Sequence, residues 1–221
     1  MNFEQARFNM IEQQIRPWNV LDTEVLDLLS AVHREDFVPA AHKALAFADL
    51  ELPLHAGGVN GQCMLAPKVE ARMLQDLAVR PHEKVLEIGT GSGYMAALLG
   101  RRAQRVITLE IDPKLANIAR ANLQQAGSSN VEVRNADGAK GVPVEGPFDV
   151  IVLSGSVAEA PHRLLEQLKT GGRLMAIVGD APVMRATLIT RTSVVEYLSS
   201  QGWDTLAPRL LNFPEHPRFN F

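Results

Sequence analysis

VLEIGTGSGYMAALL, residues 85–99, is an apolar strand that runs into three alternating glycines and then into the start of a helix. The apolar run VLEI is typical of a buried strand, and YMAALL suits a helix packed on a core. Gly89, Gly91 and Gly93 have no Cβ atom, so the turn can adopt positive φ and approach a ligand closely. The stretch therefore predicts a strand–turn–helix unit whose turn binds a ligand.

From Lys84 onward, short apolar strands alternate with helices. The predicted strands are VLEI, RVITLE, VEVRN, DVIVLS and RLMAIVG, followed by two C-terminal strands from MRATLITRT and VVEYLSS. Gly127 is predicted to end one intervening helix, and Gly171–Gly172 to end another. Such alternation builds right-handed βαβ units. It predicts an α/β fold with a doubly wound, mostly parallel sheet and helices on both faces.

The first 80 residues have a different organisation, predicted to be helical and irregular. Asp22 suits the cap of one helix, and Pro67 can open another. Residues 48–67 contain glycines and prolines but have no helical period. Long loops in compact domains tend to be functional, so this loop is predicted to contribute to a site.

Composition and charge argue against several classes of protein. The 22 basic and 25 acidic residues leave a formal charge of -3, so no basic field is available for the phosphates of a nucleic acid. No stretch approaches the roughly 20 apolar residues of a membrane span, and the N-terminus lacks the features of a secretory signal. The single cysteine, Cys63, cannot form an internal disulfide. We expect a cytoplasmic protein without nucleic-acid or membrane partners; the oligomeric state is not indicated.

The glycine turn differs from the dinucleotide-binding pattern G-x-G-x-x-G. That pattern needs a third glycine where Tyr94 stands. Glu87 stands at the end of the strand, where the phosphates of a dinucleotide would meet a repulsive charge. A cofactor that is cationic at one end and has no phosphate fits better. S-adenosylmethionine is such a molecule.

Acidic residues follow the next two predicted strands as well. Glu110 suits a carboxylate that accepts hydrogen bonds from both ribose hydroxyls, and Asp137 is placed to meet an adenine amine. Each has a simpler interpretation, because Glu110 could merely precede a helix capped by Asp112, and Asp137–Gly138 is a common turn dipeptide. Three acidic residues at three successive strand ends are nevertheless an improbable accident. The predicted cofactor-binding residues are Glu87, Gly89, Thr90, Gly91, Ser92, Gly93, Glu110, Ile111, Asp137 and Gly138.

Several longer segments carry a resemblance to a known family. VLEIGTGSGYMAALL, VITLEIDPKLANIARANL, NVEVRNADGAKG and PFDVIVLSGSVAEAPHRLLEQLKTGGRLMAIVG look like the Rossmann-like methyltransferase core of protein-L-isoaspartate O-methyltransferases. HREDFVP, residues 33–39, and ADLELPL extend the match over most of residues 7–180. The resemblance implies a class I methyltransferase fold. Residues 1–80 would form an N-terminal helical extension with an acceptor-side loop, and residues 81–221 the core, in one compact unit.

The resemblance also implies an activity. Members of this family use S-adenosylmethionine, which becomes S-adenosylhomocysteine, to methylate the free α-carboxylate of isoaspartyl residues in damaged peptides or proteins. The ester collapses to a succinimide, and hydrolysis returns some normal aspartate. A carboxylate is already an anion at neutral pH, so no strong general base is required. The enzyme must instead hold the carboxylate in line with the methyl group, using hydrogen-bond donors.

The sequence departs from the family next to Pro67. The family usually has Thr-Ile-Ser there, with hydroxyls poised by the acceptor carboxylate, whereas this chain has Cys63-Met64-Leu65, with Lys68 after the proline. Leu65 cannot donate a hydrogen bond, and a thiol donates only weakly. We take Cys63, Leu65 and Lys68 as the candidate catalytic residues, with residues 57–68 positioning the acceptor.

Simpler interpretations and alternative functions remain open at this point. Cys63 is more often a small buried hydrophobe and Lys68 a solvated charge. Backbone amides of residues 58–65 or Lys68 could hold the acceptor in place of hydroxyls. The acceptor could also be a small apolar molecule, or the protein could bind the cofactor without catalysis. His55 and His162 lack metal-ligand spacing, so no metal site is predicted.

Overall fold

A seven-stranded sheet forms the centre of the computed structural model, which describes residues 2–55 and 61–216. Its strand order is β5-β4-β3-β6-β7-β8-β9, and β1 and β2 form a separate two-stranded ladder. The strands are β1 Leu52–Pro53, β2 Cys63–Met64, β3 Lys84–Ile88, β4 Arg105–Glu110, β5 Val131–Asn135, β6 Phe148–Val157, β7 Leu168–Asp180, β8 Val183–Arg191 and β9 Tyr197–Thr205. The α-helices are α1 Phe3–Met10, α2 Thr23–Ala31, α3 Pro67–Leu77, α4 Tyr94–Arg102, α5 Pro113–Gln125 and α6 His162–Leu165.

Five neighbouring strands of the sheet, β5 to β7 in spatial order, are parallel. Strands β8 and β9 add an antiparallel edge. The chain order reverses beside β3, which pairs with β4 on one side and β6 on the other. Ligands of open α/β sheets bind at the carboxyl ends of the strands at such a switch point. The predicted sheet is confirmed, and its topology places a binding cleft at the end of β3.

The last strand begins later than the sequence predicts. Strand β9 starts at Tyr197 rather than at Val194, because the preceding residues form the turn of a hairpin. The Thr192 N–H donates to the carbonyl of Glu196, and the Ser193 hydroxyl accepts hydrogen bonds from the next residues of the turn. Val194 is consequently 73% exposed instead of packed in a sheet.

Alternate residues of the strands pack on opposite faces of the sheet, which explains the continuous apolar runs of the sequence. Val85, Val106 and Val150 belong to the hydrophobic cluster that also contains residues of helices α1 to α5. Leu86 and Ile107 belong to the cluster on the other face, together with residues of α6 and the C-terminal segment. The two faces are therefore covered unequally.

The second face carries less helix than predicted. Helix α6 has four residues and ends at Leu165. The prediction that Gly171–Gly172 ends a helix is wrong, because Leu168 already pairs with Phe148 as the start of β7. A Cβ on Gly172 would lie 2.9–3.0 Å from three backbone oxygens, so this glycine permits a close approach of two strands.

The N-terminal helices form as their local signals predict. The Asp22 carboxylate accepts hydrogen bonds from the N–H groups of Glu24 and Val25 at the start of α2. Helix α3 begins at Pro67, whose fixed φ and missing N–H suit the first helical position. Among the described residues, no helix combines the length and the apolar character that crossing a bilayer needs.

Candidate active site

The glycine turn follows β3 and leads directly into α4. The φ angles of Gly89, Gly91 and Gly93 are 91°, 54° and 90°. A Cβ on Gly89 would lie 2.9 Å from a methyl carbon of Leu210, and a Cβ on Gly91 would lie 3.1 Å from a methyl carbon of Leu54. These two glycines thus border a cleft that side chains of their own would partly fill.

Gly93 has a different role from its two neighbours. It caps α4, and a Cβ there would lie 3.2–3.4 Å from Leu123 and Ala119 of α5. The third glycine therefore lets the first two helices of the core pack closely, as a glycine of such a turn does for its helix.

Glu110 ends β4 beside the glycine turn and is 5% exposed. Its carboxylate accepts hydrogen bonds from the Gly91 N–H at 2.8 Å and from the Asp112 N–H at 3.0 Å. Burial raises the pKa of Glu110, while the backbone donors act in the opposite direction. Asp112 caps α5, as the simpler interpretation proposed, but Glu110 also lines the cleft.

Glu87 is fully buried in β3. Its carboxyl oxygens accept hydrogen bonds from the Thr108 hydroxyl at 2.6 Å and the Ser154 hydroxyl at 2.7 Å. Burial raises the pKa of Glu87 to about 8, so the group is largely protonated at neutral pH. It borders a cavity of about 20 Å³ next to the main cleft, together with Thr90 and Glu70. That volume has room for about one water molecule.

Asp137 follows β5 and organises a short turn. One carboxylate oxygen accepts a hydrogen bond from the Ala139 N–H at 2.9 Å, and the other accepts one from the side-chain amide of Asn212 at 3.0 Å. Gly138 lines the cleft, where a Cβ would lie 2.3 Å from Ile88. The turn interpretation thus describes the local structure correctly.

The acceptor side of the cleft, which we define as residues 61–65, faces the glycine turn. Cys63 and Leu65 line the same cleft as Gly89, Gly91 and Glu110. Burial, together with the charge of Glu51, raises the pKa of the Cys63 thiol to about 12, so the thiol is neutral. Residues 56–60 of the predicted acceptor loop lie outside the described residues.

Lys68 lies at the start of α3. Its ammonium group is 2.7 Å from the carboxylate of Asp49 and 3.9 Å from the ring centroid of Trp18. In the part of the chain that the structure describes, Lys68 lines neither the cleft nor the small cavity next to it. Any action of Lys68 on an acceptor would therefore have to be indirect.

The predicted residues divide into three groups by position. One group lines the main cleft and contains Cys63, Leu65, Gly89, Gly91, Glu110, Ile111 and Gly138. A second group lines the adjoining small cavity and contains Glu87, Thr90 and Ser92. Within the described ranges the third group, Lys68, Gly93 and Asp137, lines neither. The structure thus brings ten of the thirteen candidates together at one end of the sheet.

The C-terminal segment contributes cleft residues that sequence reasoning missed. The Ser156 N–H donates to the carbonyl of Pro208 at 2.8 Å, and the Leu210 N–H donates to the carbonyl of Ser156 at 2.9 Å. These bonds place the segment beside the end of β6, where the register with β7 breaks between Val152 and Ser156. Its residues in the cleft are Pro208, Arg209, Leu210, Leu211 and Phe213.

The charge of the cleft argues against a phosphate ligand. Among the described residues, Arg209 is the one basic residue that lines the cleft. Its guanidinium group is already bonded to the carbonyl of Gly179 and to the Asp180 carboxylate. No described group of three or more His, Cys, Asp or Glu residues could hold a metal ion. Glu110 accepts hydrogen bonds, and Ile88, Leu109, Ile111 and Leu115 supply apolar walls, a set that fits a nucleoside without phosphates.

The fold and site are those of a Rossmann-like methyltransferase of class I, with a glycine turn at the switch point, a carboxylate at the end of the next strand and a largely apolar cleft. Comparison with a family model agrees with this class and identifies one family within it. The model of the protein-L-isoaspartate(D-aspartate) O-methyltransferases matches residues 5–199. The chain belongs to this family, as its sequence segments predict.

Two curated relatives match this chain over most of their own length. The chain is 41% identical over 189 residues to protein-L-isoaspartate O-methyltransferase 1 of Syntrophobacter fumaroxidans, which covers 86% of each chain. It is 39% identical over 197 residues to protein-L-isoaspartate O-methyltransferase of Brucella anthropi, which covers 89% of this chain and 88% of the relative.

Solved structures give the same fold. A protein-L-isoaspartate O-methyltransferase superposes with a TM-score of 0.79 and 25% identity over 91% of this chain, which spans 64% of that longer chain. A structure from Plasmodium falciparum, described as a protein-L-isoaspartate O-methyltransferase in complex with S-adenosyl-L-homocysteine, superposes with a TM-score of 0.77. Its identity is 20%, over 95% of this chain and 98% of that one, so it supports the fold alone.

Proposed function

We propose that this protein transfers a methyl group from S-adenosylmethionine to the free carboxylate of isoaspartyl residues in peptides and proteins. The observation that carries the proposal is the cleft at the end of β3. There the glycine turn and Glu110 face residues 61–65 across one space, in a chain that belongs to the protein-L-isoaspartate O-methyltransferase family.

The cofactor side of the cleft, which we define as the turn 89–93 with Glu110, Ile111 and Gly138, would hold the nucleoside. When bound, S-adenosylmethionine supplies an electrophilic methyl group on a sulfonium ion. Glu110 would accept hydrogen bonds from the ribose hydroxyls, since its carboxylate lines the cleft and has acceptor capacity beyond its two backbone donors. Gly138 and Ile111 would contact the adenine, and Glu87, through its bonds to the Thr108 and Ser154 hydroxyls, would order the methionine end of the site.

The acceptor side must orient a carboxylate that is already ionised. Leu65 is 5% exposed and contributes only apolar surface to the cleft, and the neutral Cys63 thiol is a weak donor. These side chains would exclude water from the reacting oxygen, while main-chain N–H groups of the segment would hold the carboxylate. Fixing an attacking atom in line is worth about 7–11 kcal/mol in favourable cases, so positioning can supply much of the catalysis.

Transfer of a tritiated methyl group to a matched pair of peptides tests the proposal. One peptide contains an isoaspartyl linkage, and its control has the same sequence with a normal aspartyl linkage. We expect label in the first and background in the second. Calorimetry with S-adenosylhomocysteine should give binding, with NAD as the control ligand.

Two results would replace the proposal with its alternatives. If S-adenosylhomocysteine binds and the isoaspartyl peptide stays unlabelled while a Leu65→Ser variant labels it, the natural acceptor is a different, more apolar molecule. If S-adenosylhomocysteine does not bind, the chain is not a methyltransferase. A Met64→Leu variant is the control for a change in the same segment that adds no hydroxyl.

A further inference from the structure

Two arginine–glutamate pairs are buried in the N-terminal part of the chain, and their members include the adjacent residues Arg34 and Glu35. Arg34 is 0% exposed, and all three of its nitrogen positions have partners. It donates from Nε to the carbonyl of Ala46 at 3.1 Å, from Nη1 to the Glu70 carboxylate, and from Nη2 to the carbonyl of Leu65 at 2.8 Å. One side chain thus joins the end of the acceptor side to helix α3.

Arg34 also reaches the helix of the glycine turn. Its guanidinium carbon lies 5.2 Å from the ring centroid of Tyr94, which is the first residue of α4 and follows Gly93 directly. Tyr94 is 1% exposed and in turn packs against Phe37, with ring centroids 5.5 Å apart. The guanidinium group therefore contacts both the last residue of the acceptor side and the first residue of α4.

The acceptor side has little secondary structure to hold it. Strand β2 has two residues and pairs with a β1 of two residues. A two-stranded ladder of this size has little stability of its own. Leu65 lies beyond the ladder, and its carbonyl is fixed by a hydrogen bond from a buried, charged donor. Such bonds are about twice as strong as neutral ones, so the bond from Arg34 is a strong constraint on the Leu65 carbonyl.

We propose that Arg34 is a positioning residue for the methyl acceptor, because it holds the Leu65 peptide, and with it the acceptor side, at a fixed distance from the glycine turn. This inference rests on the proposed function. Glu70 orients the guanidinium group in this arrangement. In-line transfer is sensitive to displacements of about 1 Å, so a less firmly held Leu65 peptide weakens the binding and alignment of the acceptor.

The second pair provides a matched control. Arg7 and Glu35 are also buried and bonded to each other, and they lie in the same part of the chain. Within the described residues, Arg7 Nε and one oxygen of Glu35 have no hydrogen-bond partner, and neither residue lines the cleft. Breaking this pair disturbs the N-terminal part without touching Leu65.

Cys63 reports the position of the acceptor side without any acceptor. It is the only cysteine of the sequence, it lies two residues before Leu65, and it is partly buried. Alkylation by iodoacetamide, followed by mass spectrometry, measures how often the thiol becomes accessible. The wild type, Arg34→Lys and Arg7→Lys are compared well below their unfolding transitions.

We expect Arg34→Lys to raise the rate of Cys63 alkylation by about tenfold or more, and Arg7→Lys to change it by less than about threefold, because a lysine cannot make the three directed bonds. Glu70→Gln, which keeps Arg34 but removes its charged partner, should give an intermediate rise and replaces Arg34→Lys if that variant does not fold. Equal rates in all folded variants, or an equal rise in Arg34→Lys and Arg7→Lys, would overturn the proposal.

Kinetics with the isoaspartyl peptide distinguish a loss of acceptor positioning from a general loss of rigidity in the protein. Arg34→Lys should raise the peptide KM by about tenfold while kcat falls less and the affinity for S-adenosylhomocysteine stays within about threefold. A fall in cofactor affinity with an unchanged peptide KM contradicts the proposal. If the wild type does not methylate the peptide, the proposed function fails, and the alkylation rates still decide whether Arg34 holds the acceptor side.

Discussion

The two sides of the cleft are built in different ways. The cofactor side is fixed by the pairing of two neighbouring parallel strands, with bonds at the strand ends such as the Gly91 N–H to Glu110 and the Gly89 N–H to the carbonyl of Leu109. The acceptor side is held by a side chain from outside that sheet, since Arg34 donates to the carbonyl of Leu65. Parallel strands bring Glu110 beside the turn, whereas a buried side chain brings Leu65 there.

This difference has a consequence for substitution. The cofactor side depends on backbone geometry that a single side chain disrupts, because the three glycines of its turn have positive φ and nearby neighbours. The acceptor side depends instead on the position of its backbone, which the hydrogen bond from Arg34 to the Leu65 carbonyl fixes.

The same substitution should have opposite effects at the two buried acids that border the small cavity, Glu87 and Glu70. Glu87 has neutral hydroxyl partners, and burial holds its pKa near 8, against 4.5 for the ordinary value. The folded protein keeps this proton while the unfolded chain loses it, so stability falls as pH rises between these values. Glu87→Gln should remove the Glu87 contribution to this slope, so that the variant gains roughly 3 kcal/mol of stability over the wild type between pH 5 and pH 8. Urea unfolding at several pH values measures it.

Glu70→Gln is the matching variant at the second buried acid, which lies in α3 and is bonded to Arg34. Burial raises the pKa of Glu70 to about 7 although Arg34 acts in the opposite direction, so at pH 8 the carboxyl is largely ionised and the substitution leaves a buried cation without its charged partner. We expect a loss of about 1–3 kcal/mol in the free energy of unfolding at pH 8. The distinction between the two buried acids fails if the free energy of unfolding changes with pH equally in the wild type and in Glu87→Gln. It also fails if both variants are more stable than the wild type at pH 8.

Gly89→Val should produce the largest loss of cofactor binding. A β-branched residue cannot adopt the φ of 91° without strain, and its Cβ would lie 2.9 Å from Leu210. We expect S-adenosylhomocysteine affinity to fall by about 100-fold or more, measured by calorimetry. Gly127→Ala is the control, since its φ is also positive while a Cβ there meets nothing within 4 Å. Equal losses in both variants would mean that Gly89 acts through stability alone.

Glu110→Ala tests the carboxylate of the cofactor side. It removes the acceptor for the Gly91 N–H as well as the proposed ribose contact. Affinity for S-adenosylhomocysteine should fall by about 1–3 kcal/mol. Asp112→Ala removes the neighbouring cap of α5 and serves as control, because it alters the same turn without the cleft carboxylate. Unchanged affinity in Glu110→Ala would exclude Glu110 from the site.

Lys68→Met should have the smallest effect. The ammonium group is bonded to Asp49 and lies over Trp18, and it does not line the cleft. We expect the KM for an isoaspartyl peptide to change by less than about twofold, because partly exposed ion pairs contribute little. An increase as large as that expected for Arg34→Lys would show that Lys68 contacts the acceptor.

Most of the fold follows from local sequence. The strands from β3 to β8 and the starts of α2 and α3 can be predicted from the sequence, because apolar periodicity and helix caps act over a few residues. The predicted helix ending at Gly171–Gly172 fails because Leu168 pairs with Phe148, a contact between distant residues. The start of β9 is displaced because Val194, despite its strand propensity, lies in a hairpin turn.

The residues of the site also divide into those that the local sequence predicts and those that it does not. Glu110 and the glycines could be predicted, since the ends of parallel strands meet at one edge of a sheet. The contributions of Arg34 and Leu210 could not, because each depends on a tertiary contact without a local signature. Asp137 is an intermediate case, because its local turn can be predicted from the sequence and the hydrogen bond from Asn212 cannot.

A crystal structure with S-adenosylhomocysteine tests the central claim most directly. The account predicts adenosine density between the ends of β3 and β4, with the ribose hydroxyls on the Glu110 carboxylate and the sulfur directed toward residues 63–65. A complex in which the nucleoside lies elsewhere, with this space still filled by Leu210 and its neighbours, would contradict it.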